Sequence, residues 1–213
     1  MHYVYEFLGL MAVFSVLVVS PGADFLLVVR QSLVHGRRAA IVTSFGIGAS
    51  LLFHIGYTIL GIGIIVAQSL FLFGLLKWAG AAYLVYLGWK SLRADAFEMP
   101  DEKAQSQITQ AAPPSTLRLF LLGFATNALN PKPVLFFLSL FTALVSHDTP
   151  ASIQAVYGLL MAATLILWFV GVSTFFTVTS VRERFVAWGR WFNRITGMIF
   201  IGLGIRLATQ QAN

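Results

Sequence analysis

The chain has 213 residues, 58% of them hydrophobic and only 10% charged. A soluble domain is about 45–50% apolar and about 25% charged, so this composition excludes an ordinary soluble enzyme. At about 20 apolar residues per crossing, the length suffices for roughly six membrane helices and no separate catalytic or nucleotide-binding domain. The net charge of +6 comes from 14 Lys and Arg against 8 Asp and Glu. In a soluble protein that balance points to nucleic acid. In a chain this apolar it reflects basic cytoplasmic loops, and no nucleic-acid partner is expected. There is no cysteine, which excludes disulfides and thiolate metal sites. The N-terminus lacks the basic start and small-residue cleavage site of a signal peptide, so the first apolar stretch is expected to stay in the mature protein.

Taken in order, apolar stretches run at roughly 4–29, 40–67, 70–92, 117–145, 151–180 and 190–208. The connections near 68–69 and 146–150 are very short. The longest, about 93–116, is polar, carries Asp95, Glu98, Asp101 and Glu102, and ends in Pro113-Pro114. It reads as a linker at about 94–116 between a first half, about 1–93, and a second, about 117–213. The whole is one transmembrane domain with three spans in each half.

Basic residues set the orientation. Arg30, Arg37 and Arg38 follow span 1; Lys90, Arg93, Lys103 and Arg118 surround the linker; Arg182, Arg184, Arg190 and Arg194 follow span 5. Eleven of the 14 basic residues thus fall on alternate connections. That side is expected to be cytoplasmic, which puts both termini in the periplasm. Trp188 and Trp191, beside Arg190 and Arg194, fit an interfacial belt. Three spans per half give the second half the opposite orientation, the topology of an inverted repeat common among secondary transporters.

Prolines mark matching places in the halves. Pro21 interrupts span 1 within Ser20-Pro21-Gly22-Ala23-Asp24, and Pro131 and Pro133 interrupt span 4 within Asn127-Ala128-Leu129-Asn130-Pro131-Lys132-Pro133. Proline removes a helix hydrogen bond and clashes with the carbonyl four residues back; the adjacent Gly22 weakens the helix further. Backbone groups so freed must face protein or a wet cavity. Broken helices in corresponding places point to a transport site. Asp24 and Lys132, read as the only acid and base deep within the apolar spans, lie at these breaks, where each costs about 2.5–3.5 kcal/mol on insertion scales. On a straight helix Asp24 lies about 10 Å inward of the midplane and Lys132 near it, so a direct pair is left open. Freed N–H groups and Lys132 suit a carboxylate; freed carbonyls and Asp24 suit an ammonium. Asn127 and Asn130 add amides. The set fits a small zwitterion such as an amino acid.

At these residues the chain resembles the LysE/RhtB family of bacterial amino-acid exporters, nearest its threonine and homoserine branch. The resemblance rests on Pro21-Gly22-Ala23-Asp24, Gly36-Arg37-Arg38, Gly46-x-Gly48, Gly80-Ala81-Ala82-Tyr83-Leu84, Tyr86-Leu87-Gly88-Trp89, Asn127-Ala-Leu-Asn130-Pro131-Lys132, and Gly197, Gly202 and Gly204 in the last span. The family's usual Pro-Gly-Pro is Pro-Gly-Ala here, and Asp24 matches the acidic form of the next position. The resemblance implies a six-helix inner-membrane exporter driven by the proton gradient. It leaves open which amino acid is carried: threonine or homoserine, or lysine, arginine or leucine.

The remaining polar residues have plain readings. His54, in span 2, either carries a proton or hydrogen-bonds a neighbouring helix. Ser20, Thr43, Ser44, Thr126 and Ser139 either line a cavity or pack, as Ser and Thr commonly do in membrane helices. Ala40, Ser44, Gly48 and Gly56 share one face and read as close helix packing, within a protomer or between two, so a homodimer stays open. The 19 phenylalanines read as lipid-facing or core bulk. No GxSxG, HExxH, Walker A or CxxC pattern occurs, so neither enzymatic activity nor a cofactor is expected, and transport must draw on a gradient. The competing classes are a non-transporting membrane scaffold, which has no need of matched breaks, and a channel, which needs a polar stripe along a whole helix. The expected partners are an amino acid, protons and membrane lipids.

Overall fold

A computed structural model describes residues 2–68, 70–94, 114–146, 148–176 and 178–209. Most of the expected linker, with its four acids, lies outside the described residues. Among those described the chain is helical and has no strand. The helices are α1 (His2–Val19), α2 (Ala23–His35), α3 (Arg37–Gln68), α4 (Leu70–Arg93), α5 (Thr116–Ala128), α6 (Pro131–Leu144), α7 (Ala151–Phe175) and α8 (Thr179–Thr209).

The first apolar stretch is therefore two helices, α1 and α2, and the fourth is also two, α5 and α6. Pro21 lies between the first pair, and Pro131 opens the second member of the other. Among the described residues, three helices are long and apolar enough to cross a membrane: His2–Val19, Arg37–Gly61 and Ala151–Phe175. The breaks cut α2, α5 and α6 to 13 or 14 residues, too short to cross singly. The last helix starts at Thr179, where apolar pattern alone starts it at 190. Arg and Glu are good helix formers, so the charged stretch 182–190 continues the helix that the apolar run completes.

Two helix pairs pack backbone to backbone. An added Cβ at Gly46 (α3) would collide with the Phe120 carbonyl of α5, and one at Gly123 (α5) with the Thr43 carbonyl of α3. Between α4 and α8, a Cβ at Gly88 would lie 2.7 Å from the Gly197 carbonyl oxygen, and the converse distance is also 2.7 Å. Where lipid is as apolar as the side chains, such close approach is what holds helices together. On the small-residue face of α3, Gly48 meets Ile166 of α7, whereas nothing lies within 4 Å of a Cβ at Gly56. The phenylalanines divide as expected. Phe14, Phe25, Phe136, Phe137, Phe141 and Phe200 are fully buried, while Phe53, Phe71 and Phe175 are exposed. Phe14 of α1 meets Phe137 of α6 at a 5.8 Å ring separation, and Phe25 of α2 stacks on Phe185 of α8 at 5.0 Å. These contacts tie both sides of the first break, and the α6 side of the second, into one core.

Candidate functional site

The first break is built by backbone chemistry. Ser20 N–H still reaches Val16 and Leu17 carbonyls at 3.1 and 3.2 Å. Pro21 has no N–H to continue the ladder and disfavours helical conformation at Ser20. Gly22 is extended (φ −160°, ψ −170°) and caps α2 without a side chain, and its carbonyl accepts from Leu26 N–H at 2.9 Å. That φ is open to any residue, so the backbone at Gly22 does not itself require glycine. Asp24 then falls in the first turn of α2, where the positive end of the helix dipole favours a carboxylate.

The second break is capped differently. Leu129 N–H closes onto the Ala125 carbonyl and Asn130 N–H onto the Asn127 carbonyl at 3.0 and 3.1 Å. Asn130 is extended, and its Oδ1 accepts from Lys132 N–H at 3.0 Å. This is an N-cap with proline at the next position, the arrangement that best restarts a helix. Asn130 thus spends its side-chain oxygen on the cap, leaving its amide N–H groups for any ligand.

The two breaks face each other. Asn127, 3% exposed, donates from Nδ2 to Asp24 Oδ2 at 2.8 Å across 103 positions of sequence. Lys132 reaches back to the first break: its Nζ lies 3.8 Å from where a Cβ on Gly22 would stand. Asp24 and Lys132 line one cavity but form no ion pair within 4 Å. Two oxygens here are buried and unpartnered, Asp24 Oδ1 and Asn127 Oδ1. Buried acceptors without donors cost about 1–3 kcal/mol each, so their place in a cavity marks a site shaped for a donor-rich group.

That cavity is small, about 50 Å³, and its apolar wall includes Phe14, Val18, Leu51, Phe137 and Phe169, with Pro133 also lining it. It adjoins a second of about 410 Å³, which runs past Tyr83, Tyr86, Lys90 and Ser91 to Ala94, where the linker begins. Ser20, Gly22, Ala23, Asn130 and Lys132 line both. The wide cavity thus approaches the breaks from the linker end of α4.

Of the other polar residues, Thr43, Ser44 and Ser139 donate to carbonyls four positions back, the packing reading. Ser20 lines both cavities. His54 is 1% exposed, and its Nε2 lies 3.2 Å from the Asn127 carbonyl. A carbonyl only accepts, so Nε2 bears the hydrogen and Nδ1 accepts from the Tyr57 hydroxyl at 2.8 Å. The ring holds the very residue that holds Asp24. No local pattern marks this contact, because the partner lies 73 positions away.

A second cluster escaped sequence reasoning. Glu6 of α1 is 8% exposed, as buried as Lys77, so Asp24 and Lys132 are not the only charged groups held inside. Its carboxylate accepts from Ser146 N–H at 2.9 Å and from the Thr149 hydroxyl at 2.9 and 3.0 Å. The Tyr157 hydroxyl shares its one hydrogen between Oε2 at 3.2 Å and the Tyr3 carbonyl at 2.8 Å. His2 Nε2 lies 3.0 Å from Oε1. The available signal was an acid inside the first apolar stretch. Among the described residues no group of three or more His, Asp or Glu could hold a metal.

The family of LysE type translocators matches residues 15–211. The threonine efflux protein of Escherichia coli strain K12 is 28% identical over 202 residues, 94% of this chain and 96% of that protein. The homoserine/homoserine lactone efflux protein of Salmonella typhimurium is 30% identical over 201 residues, 92% of each chain. An uncharacterized membrane protein of Escherichia coli, YahN, is 31% identical over 209 residues, 97% of this chain and 89% of that one. No solved structure matches the chain.

Proposed function

The chain belongs to the LysE type translocator family, and from that premise we propose that it exports a small amino acid, threonine-like or homoserine-like, across the bacterial inner membrane by proton antiport. The efflux of threonine and of homoserine by these relatives supports the substrate class. In this reading α1 with α2, α3 and α4 form one three-span half; α5 with α6, α7 and α8 form the inverted other. Both termini are periplasmic, and Lys90, Arg93 and Arg118 lie on the cytoplasmic side. The wide cavity past Lys90 is then the cytoplasmic entrance.

The observation that carries the proposal is the pair of unpartnered buried oxygens, Asp24 Oδ1 and Asn127 Oδ1, in a cavity that Lys132 also lines. An ammonium brings three N–H donors to two waiting acceptors. Its carboxylate goes to Lys132 and the Asn130 amide, near the opening turn of α6, whose dipole is positive. A space of about 50 Å³ holds about three to five water-sized spheres at 10–15 Å³ each, so it suits a compact amino acid better than a long one. A lysine or arginine side chain would have to place its charge among Phe14, Phe137 and Phe169.

In the proposed cycle, ionised Asp24 takes the ammonium from the cytoplasm. The halves rock, and protonation of Asp24 from the periplasm releases the substrate. Flux of amino acids from proteoliposomes carrying the purified chain tests this. Threonine or homoserine flux that collapses with an uncoupler supports it. Flux of basic amino acids or leucine instead moves the chain to another branch of substrates. No flux of any amino acid leaves a membrane scaffold, and flux indifferent to the proton gradient leaves a channel.

A further inference from the structure

We infer that Glu6 is a gate residue of the transport cycle, a carboxylate that ties the two halves together at the end of the molecule opposite the wide cavity. The inference rests on the two-half carrier reading above. Its three donors from loop and helix, Ser146 N–H, Thr149 Oγ1 and Tyr157 OH, lie 140, 143 and 151 positions away, all in the second half. Glu6 itself belongs to α1, the opening helix of the first. Fourteen residues of helix separate it from Ser20, about 21 Å at 1.5 Å per residue. Between Glu6 and the small cavity's wall at Phe14, Leu10 and Val13 are buried, so this stretch of α1 is packed against its neighbours. The wide cavity leaves the breaks the other way, toward Lys90 and Ala94.

A carrier that rocks one half against the other must part this end to release cargo there. The contacts crossing it are then the ones that must break. A buried carboxylate whose two oxygens both accept from donors of the opposite half has the chemistry of such a tie: strong while made, and reversible as a unit. The tie also explains why an acid is held inside an apolar helix where a leucine would pack at no electrostatic cost.

Because the chain has no cysteine, a single introduced thiol reports this gate without background. Val13→Cys places it in the packed stretch, two turns from Glu6. A membrane-impermeant maleimide is applied to intact cells and to inverted vesicles, so that either orientation of the N-terminus is read. Glu6→Gln keeps the volume but presents an N–H to groups that are themselves donors. It should speed labelling from the N-terminal side about tenfold, the effect of losing one charge-assisted bond. Thr149→Val with Tyr157→Phe removes two donors from the other half and should shift labelling the same way. It decides the matter if Glu6→Gln fails to insert. Unchanged labelling in inserted variants overturns the gate. So does a matching rise at a control thiol, Ala162→Cys in the core of α7, which reports general loosening. The readout needs no substrate. A labelling shift in a chain that exports no amino acid keeps the gate and removes the exporter reading, and flux without the shift does the reverse.

Discussion

Glu6 and Asp24 sit on the same broken span, and both are carboxylates kept from water, yet the fold treats them in opposite ways. Glu6 receives a backbone N–H, two hydroxyls and an imidazole. Asp24 receives one amide from Asn127, and its other oxygen has no donor. The first is a completed network. The second is an incomplete one beside a cavity. Burial alone therefore does not mark a ligand site; two polar groups with unmet hydrogen-bonding capacity on one cavity that Lys132 also lines make the stronger mark. Completed networks hold a shape, and incomplete ones await a partner.

Substitutions that remove charge but keep shape separate the two most sharply. Asp24→Asn should cut export at least about 100-fold, since the coupling charge and the ammonium's strongest acceptor disappear together. The same variant should be no less stable, and its melting temperature in detergent should rise. Its new amide can donate to the orphan Asn127 Oδ1 while still accepting from Nδ2, and removing an unmet acceptor recovers about 1 kcal/mol. A folded Asp24→Asn chain that exports at the normal rate sinks the role given to Asp24. Glu6→Gln should show the reverse stability pattern, losing about 2 kcal/mol because donors then face a donor. Equal melting temperatures for Glu6→Gln and the parent would erase the contrast drawn here.

Smaller effects probe the supports. His54→Leu removes the donor to the Asn127 carbonyl and should raise the half-saturating substrate concentration about tenfold, with the maximal rate less affected. His54→Gln, which can still donate to that carbonyl, should restore most of it. If both variants fall alike in maximal rate, His54 does more than position Asn127. Smallest of all is Gly22→Ala. Its extended φ suits any residue, and the added carbon would meet Lys132 Nζ at an ordinary 3.8 Å. Flux within about twofold of the parent is expected, with stability within about 0.5 kcal/mol. A large loss would mean that backbone approach at Gly22 is part of the binding site.

Much of this architecture is written locally. An apolar run in a lipid solvent must satisfy its own backbone, so helix follows from composition. Proline lacks the N–H that a helix needs, so Pro21 and Pro131 place the interruptions wherever the chain goes. Asn130 one residue ahead of Pro131 is a cap by its own chemistry. Asp24 and Lys132 stand at those breaks in the sequence itself, and a reader of the chain alone can name them. Tertiary structure decided everything that depends on one segment meeting another. It turned the breaks toward each other, so that Asn127 holds Asp24 across 103 positions. It brought His54 behind Asn127, and it chose Gly46 and Gly123 over Gly56 for the closest helix approach. It also made Glu6, one acid near the start of an apolar helix, the meeting point of donors from the far half of the chain. Local rules fix which groups a segment leaves unmet; only packing determines which of them find a partner and which are left for a ligand.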